Sequence, residues 1–194
     1  LTIYSAYTGG KGTYVISSYD AANQIMIHGT DTIWEAGNVQ YFTLAYHAAS
    51  GNFLATYTIL ASGDTHAIGM DCSSGVVALG TQVQMTTGSS TFLEGASSCY
   101  DSVEEKVLVV YAGQYLGLTH GYAQAIGLSG TVVSLGTRHQ FESDAIAMPK
   151  CAYDPVDEKS LVVYKNTVDN KINGIGIDIS GTTVTSGTAV ENAT

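Results

Sequence analysis

Apolar residues in this chain fall in short runs with a period of two, broken by glycines and polar turns. Val107, Val109 and Tyr111 point one way along their run while Leu108 and Val110 point the other, and both sets are apolar. Such a strand is predicted to lie between two layers rather than half in water. Leu161-Val162-Val163-Tyr164 reads the same way. Further runs rich in β-branched residues cover Tyr122 to Leu128, Thr131 to Leu135 and Thr182 to Thr185. Ser129-Gly130 and Ser180-Gly181 are links of hairpin length, and Cys72 to Gly75 is a slightly longer one. No segment carries a capped stripe at helical spacing, so very little helix is expected. The pattern predicts an all-β chain of antiparallel sheets.

The runs recur. Tyr46-HAASGNFLAT-Tyr57, Tyr100-DSVEEKVLVV-Tyr111 and Tyr153-DPVDEKSLVV-Tyr164 align without a gap, and their first tyrosines stand 54 and 53 residues apart. Each is followed by an Ala/Gly-Ile-Gly triplet: Ala67-Ile68-Gly69, Ala125-Ile126-Gly127 and Gly174-Ile175-Gly176. A Gly-Thr pair closes each unit, at Gly80-Thr81, Gly136-Thr137 and Gly187-Thr188. A shortened copy opens at Tyr19-Asp20, and its Gly37-Asn38-Val39-Gln40-Tyr41-Phe42 mimics the ending at Gly136 to Phe141. The reading is one β-repeat domain over 1–194. It comprises an N-terminal strand segment (1–18), an abbreviated repeat (19–45) and three full repeats (46–99, 100–152 and 153–194).

Four-strand units of this length, apolar on both faces, suggest the stacked blades of a β-propeller, with a β-sandwich as the alternative. The final unit has only Thr188 to Thr194 after Gly187, so its sheet is expected to lack an outer strand. Leu1 to Ser18 is a β-rich run of suitable length to supply it. That segment is therefore expected to pair with a sheet other than the nearest following one. Pairing within the chain would close a ring; pairing with a neighbour would build a filament by strand donation. Ile3, Tyr4, Tyr7, Tyr14 and Ile16 are then the candidate assembly-interface residues.

Composition narrows the function classes. Only 12% of residues are charged and 45% are hydrophobic, which opposes disorder; the net charge is −10. No Lys or Arg occurs between Lys11 and Lys106, so the clustered cations that nucleic acid or an anionic membrane demands are missing. No run of 18 apolar residues exists to cross a bilayer as a helix. The chain opens with Leu1 and shows no basic segment leading into an apolar run, the reading expected of a processed protein, a fragment or a sequence read from a larger assembly.

Candidate chemistry is sparse. Asp101, Glu104, Asp154 and Asp157 cluster on repeated acidic turns and are the candidates for a calcium site. Against that, the DxDxDG pattern is missing, Lys106 and Lys159 follow at once, and an Asp at the first turn position needs no metal. His28, His47, His66, His120 and His139 form no metal-binding spacing, nor do Cys72, Cys99 and Cys151, and Cys99 and Cys151 read as buried small hydrophobes rather than a bridge. There is no GxSxG motif. Thr30-Asp31-Thr32-Ile33-Trp34 only faintly resembles a sialidase Asp-box, and Arg138 is the sole arginine, too few to grip a sugar carboxylate. No cofactor is expected. Asn192-Ala193-Thr194 is a glycosylation sequon by pattern.

The unit running from Tyr153 to Val190 resembles a repeat of large structural proteins from aquatic phages and marine microbes: a YD-turn, a VVxY strand, an SGT turn and a GTxVxF ending. The resemblance covers Tyr100 to Val190 well, Tyr46 to Gln84 moderately and the first 45 residues poorly. It implies a propeller-like β-repeat in tail fibres, spikes or surface filaments, and carries no catalytic residue across. The expectation is a non-catalytic building block of a virion appendage or extracellular filament, partnered with itself and with cell-surface glycans. The alternatives are a free carbohydrate-binding propeller lectin and, more distantly, a glycoside hydrolase.

Overall fold

A computed structural model describes residues 2–5, 11–15, 17–20, 25–28, 32–74, 76–86, 94–115 and 118–191. The described residues form strands and turns, with no helix among them. The chain begins with β1 (Thr2–Ser5), β2 (Lys11–Val15), β3 (Ser17–Asp20) and β4 (Ile25–His28). The first large sheet comes next: β5 (Thr32–His47), β6 (Asn52–Ile59), β7 (Asp64–Asp71), β8 (Ala78–Leu79) and β9 (Val83–Gln84). The second holds β10 (Glu94–Asp101), β11 (Lys106–Tyr115), β12 (Leu118–Ser129), β13 (Val132–Leu135) and β14 (His139–Glu142). The third holds β15 (Ile146–Asp154), β16 (Lys159–Asn166), β17 (Ile172–Ser180), β18 (Thr183–Ser186) and β19 (Val190–Glu191).

All three sheets share one antiparallel plan. The second runs β10-β11-β12-β13 with β14 also on β12, and the third runs β15-β16-β17-β18 with β19 also on β17. The first tyrosine of each unit pairs at the same place: Tyr46 with Phe53, Tyr100 with Val107, Tyr153 with Ser160. The second tyrosine is buried in the second strand each time, at Tyr57, Tyr111 and Tyr164. The Gly-Thr glycines are equivalent as well. Gly80, Gly136 and Gly187 each donate N–H to the third strand, at the carbonyls of Gly69, Ala125 and Gly176.

Those carbonyls also correct the triplet alignment. Leu54, Leu108 and Leu161 pair with Gly69, Ala125 and Gly176. Ala125 therefore matches the last residue of the other triplets, not the first. The hairpin joining the second and third strands is two residues longer in the second sheet, and this displaces Ala125-Ile126-Gly127 from register.

Each first strand carries a bulge at one equivalent place. Tyr41, Gly95 and Met148 have φ of 56°, 69° and 53°, and the ladder shifts register beside each of them. A left-handed tyrosine or methionine costs energy that glycine escapes, so the surrounding pairing must enforce it.

The sheets stack face to face in one direction. Leu54 of the first packs against Val107, Val109 and Tyr111 of the second. Leu108, Val110 and Ala112, on the opposite side of β11, pack against Val162 and Tyr164 of the third. The leucine-bearing face of each sheet thus meets the tyrosine-bearing face of the next. Residues Val107 to Ala112 are fully buried, as a strand between two layers should be.

Four expectations need correction. The third copy of that strand is covered on one face only: Leu161 is 53% exposed and Val163 38%. The third sheet lacks no outer strand, since β18 and β19 repeat the places of β13 and β14. The strand that leads into each tyrosine belongs to the sheet after it, so the sheets begin at Glu94 and Ile146, ahead of Tyr100 and Tyr153. Finally, β2 pairs with the first half of β5, with Thr13 opposite Ile33, so the N-terminal segment joins the nearest following sheet. β5 is 16 residues long and outruns β6, and its free edge accepts the hairpin. Within the abbreviated repeat, β4 pairs with β3 as a two-stranded sheet, while residues 37–42 lie inside β5.

Candidate functional site

The acidic candidates and His47 gather at the turns joining the first and second strand of each sheet, while His66 and His120 lie on third strands, His139 on β14 and His28 on β4. Asp101 is buried at its turn, and its Oδ1 accepts from the N–H groups of Val103 (2.9 Å) and Glu104 (3.0 Å). Asp154 repeats this with Val156 (2.8 Å) and Asp157 (3.4 Å). These carboxylates close their own turns. Among the described residues no group of three His, Cys, Asp or Glu side chains is placed to hold a metal ion. Glu105 and Glu158 take left-handed φ of 52° and 54° where the first sheet has Gly51.

Glu104 does something that the sequence did not suggest. Its Oε2 accepts the N–H of Gly181, 2.7 Å away in the third sheet's Ser180-Gly181-Thr182 turn. The same turn presents the carbonyl of Thr182 to the N–H of Thr137 at 3.1 Å. A Cβ on Gly136 would collide with that carbonyl, and one on Gly80 with the carbonyl of Thr131 in the second sheet's turn. Two of the Gly-Thr glycines are therefore seats for the next sheet's hairpin. The first tyrosines reach backward in turn: the hydroxyl of Tyr100 accepts from Ala49 N–H at 3.2 Å, in the turn of the first sheet.

Between the first two sheets this rim opens into a cavity of about 410 Å³ lined by His47, Ser50, Glu105, Lys106, Gly130 and Ser134, among others. Ser50 stands where the second sheet has Glu104, so the carboxylate clasp is missing and space remains. Its His47 and Lys106 side chains are engaged. His47 Nδ1 accepts from Ser50 N–H at 3.2 Å, so Nε2 carries the proton and donates to the carbonyl of Glu105 at 2.9 Å. Lys106 Nζ donates to the carbonyls of Glu104 and Glu105.

Other candidates also serve packing. The phenols of Tyr57, Tyr111 and Tyr164 are all pushed up, first by burial. Tyr57 donates to Gln82 Oε1 and Tyr164 to Glu142 Oε2, while Arg138 lies 4.5 Å over the ring of Tyr122. His66 stacks on Tyr57 at 5.7 Å, and burial pulls its pKa down. His120 bonds the carbonyl of Ser143, and His139 the hydroxyl of Ser186. Cys99 and Cys151 are free; Cys99 Sγ lies 3.5 Å from Ser160 Oγ and Cys151 Sγ donates to Ser97 Oγ at 3.7 Å, and the mutual influence of the two thiols across the second and third sheets lowers the Cys99 pKa and raises that of Cys151. They are unbridged, as expected, but partly rather than fully buried.

Ile3, Tyr4 and Tyr14 lie on the β1–β2 hairpin, with Ile3 opposite Tyr14. Tyr7, Ile16, Thr30, Asp31 and the Asn192 sequon lie outside the described residues. No protein-family model matches the chain, and no curated protein or solved structure matches it either. The reading of function therefore stands on the stacking itself.

Proposed function

We propose that this chain is a non-catalytic structural protein, a building block of a virion appendage such as a tail fibre or spike, or of an extracellular filament. One observation carries the reading: three equivalent sheets stack head to tail through the same pair of faces, and the last leaves its leucine-bearing face open. Repetition of one heterologous contact is how rings and filaments are built. His47 and Lys106 in the rim cavity are spent on holding turns, which suits a scaffold better than a catalyst. The same stacking supports a propeller-like arrangement of blades. Negative-stain micrographs of the native material test the reading. Fibres, spikes or filaments that label with antibody to the chain are expected; a small free particle overturns it.

A lectin reading rests on Tyr46, half exposed and tilted against Phe53 with ring centres 5.2 Å apart. Paired rings at a surface suit the apolar face of a sugar. A glycan array separates the two, since Tyr46→Ala should abolish binding if that reading holds.

A further inference from the structure

The third sheet carries every feature with which the first two receive a neighbour, and among the described residues nothing occupies them. Leu161 and Val163 stand where Leu108 and Val110 are wholly buried. Gly176 and Gly187 stand where Gly69 and Gly80 lie beneath the Thr131 carbonyl. Neither has a left-handed φ, a Cβ on Gly176 would meet nothing within 4 Å, and one on Gly187 would meet only the carbonyl of Gly176 at 3.8 Å. Inside this chain, then, neither position needs to be glycine. They border a groove of about 290 Å³ lined also by Lys159, Asp178 and Thr185. Asp157 occupies the place of Glu104, and its carboxylate has no partner among the described residues. Lys159 is no obstacle, because Lys106 holds the same place in the stacked second sheet.

We propose that this face is a docking surface for a further β-sheet of the same repeat, carried by a partner protein. The partner would lay the tyrosine-bearing face of its sheet over Leu161 and Val163. It would also seat a glycine-containing hairpin turn on Gly176 and Gly187, where Asp157 meets the turn's N–H. A second copy of this chain is a poor occupant. The matching face on its first sheet is already covered, with Val39, Tyr57 and Met70 all at 0% exposure. One end of the stack is closed and the other is open, so the contact has a direction and does not propagate through identical copies. This surface gives the building-block reading its partner, yet it rests on the two internal interfaces and is tested apart from that reading.

The test is an extended chain in which residues 143–191 are repeated directly after Glu191, supplying a fourth sheet. A docked fourth sheet is expected to resist proteolysis and to melt in one transition with the rest. Gly187→Val should leave the three-sheet chain's melting temperature unchanged and should release the added sheet in the extended chain. A fourth sheet that stays protease-sensitive overturns the proposal, as does one that docks regardless of Gly187→Val. Sedimentation of the unextended chain decides the occupant. A monomer supports a different partner, whereas a dimer broken by Leu161→Lys shows that a second copy fills the face and overturns the choice made here. An absence of fibres in native material would bear on the building-block reading alone.

Discussion

The second and third sheets are nearly the same object in different company. Leu108 and Val110 are buried under a neighbour, and Leu161 and Val163 on the same ladder positions meet solvent. Their strand sequences, Val107-Leu108-Val109-Val110-Tyr111 and Ser160-Leu161-Val162-Val163-Tyr164, differ at one position in this stretch. Burial in this fold therefore depends on which sheet lies beyond a face as much as on the residues of the face. The tightest intersheet features, the glycine seats and the carboxylate clasp, are likewise present in both sheets and used in one.

Paired substitutions probe the difference. Val110→Asp places an unpaired charge between two sheets and should cost about 4 kcal/mol or more, enough to unfold the chain. Val163→Asp at the equivalent place should change stability by about 1 kcal/mol or less in chemical denaturation. Equal effects would show that the third face is covered too. Gly136→Ala drives a methyl into the Thr182 carbonyl and should cost about 1–3 kcal/mol, while Gly187→Ala should be neutral or stabilise by about 0.4–1 kcal/mol.

Alkaline titration compares all three sheets at once. The folded state keeps protons on Tyr57, Tyr111 and Tyr164 above the ordinary tyrosine pKa of 10.0, whereas the unfolded chain releases them. Their contribution is complete below that pH and is lost as the pH rises past it, because the unfolded chain then binds fewer protons. Denaturation midpoints should fall above about pH 10, with Tyr111→Phe, in the doubly covered sheet, flattening the fall most. The smallest contrast is at the clasp. Glu104→Ala removes the bond to Gly181 and should cost about 1 kcal/mol, while Asp157→Ala, with no bond to lose, should not shift the melt.

The repeat was legible in sequence because its tyrosines and Gly-Thr pairs occupy positions that packing enforces. The acidic turns were legible as turns, since Asp101 and Asp154 act locally through the next few N–H groups. Glu104 was not, because its partner Gly181 lies 77 residues away in another sheet. The bulges at Tyr41 and Met148 left no trace either, as neither residue favours left-handed φ; only Gly95 hinted at the place. The frame of each sheet was missed because the strand ending at each tyrosine pairs with the strand after it, and a repeat read from its strongest residue starts too late.

The longer hairpin of the second sheet carries a rule about how this chain can change over generations. Tyr111 pairs with Tyr122 where Tyr57 pairs with His66 and Tyr164 with Asn173, a difference of two residues that leaves each side chain on its proper side. A gain or loss of one residue would instead turn the following strand over and send Ala123 and Ala125 to the tyrosine-bearing side. Insertions and deletions in these hairpins are thus expected to be accepted more readily in even numbers than in odd ones. Descendants of this repeat should be compared with gaps counted in pairs.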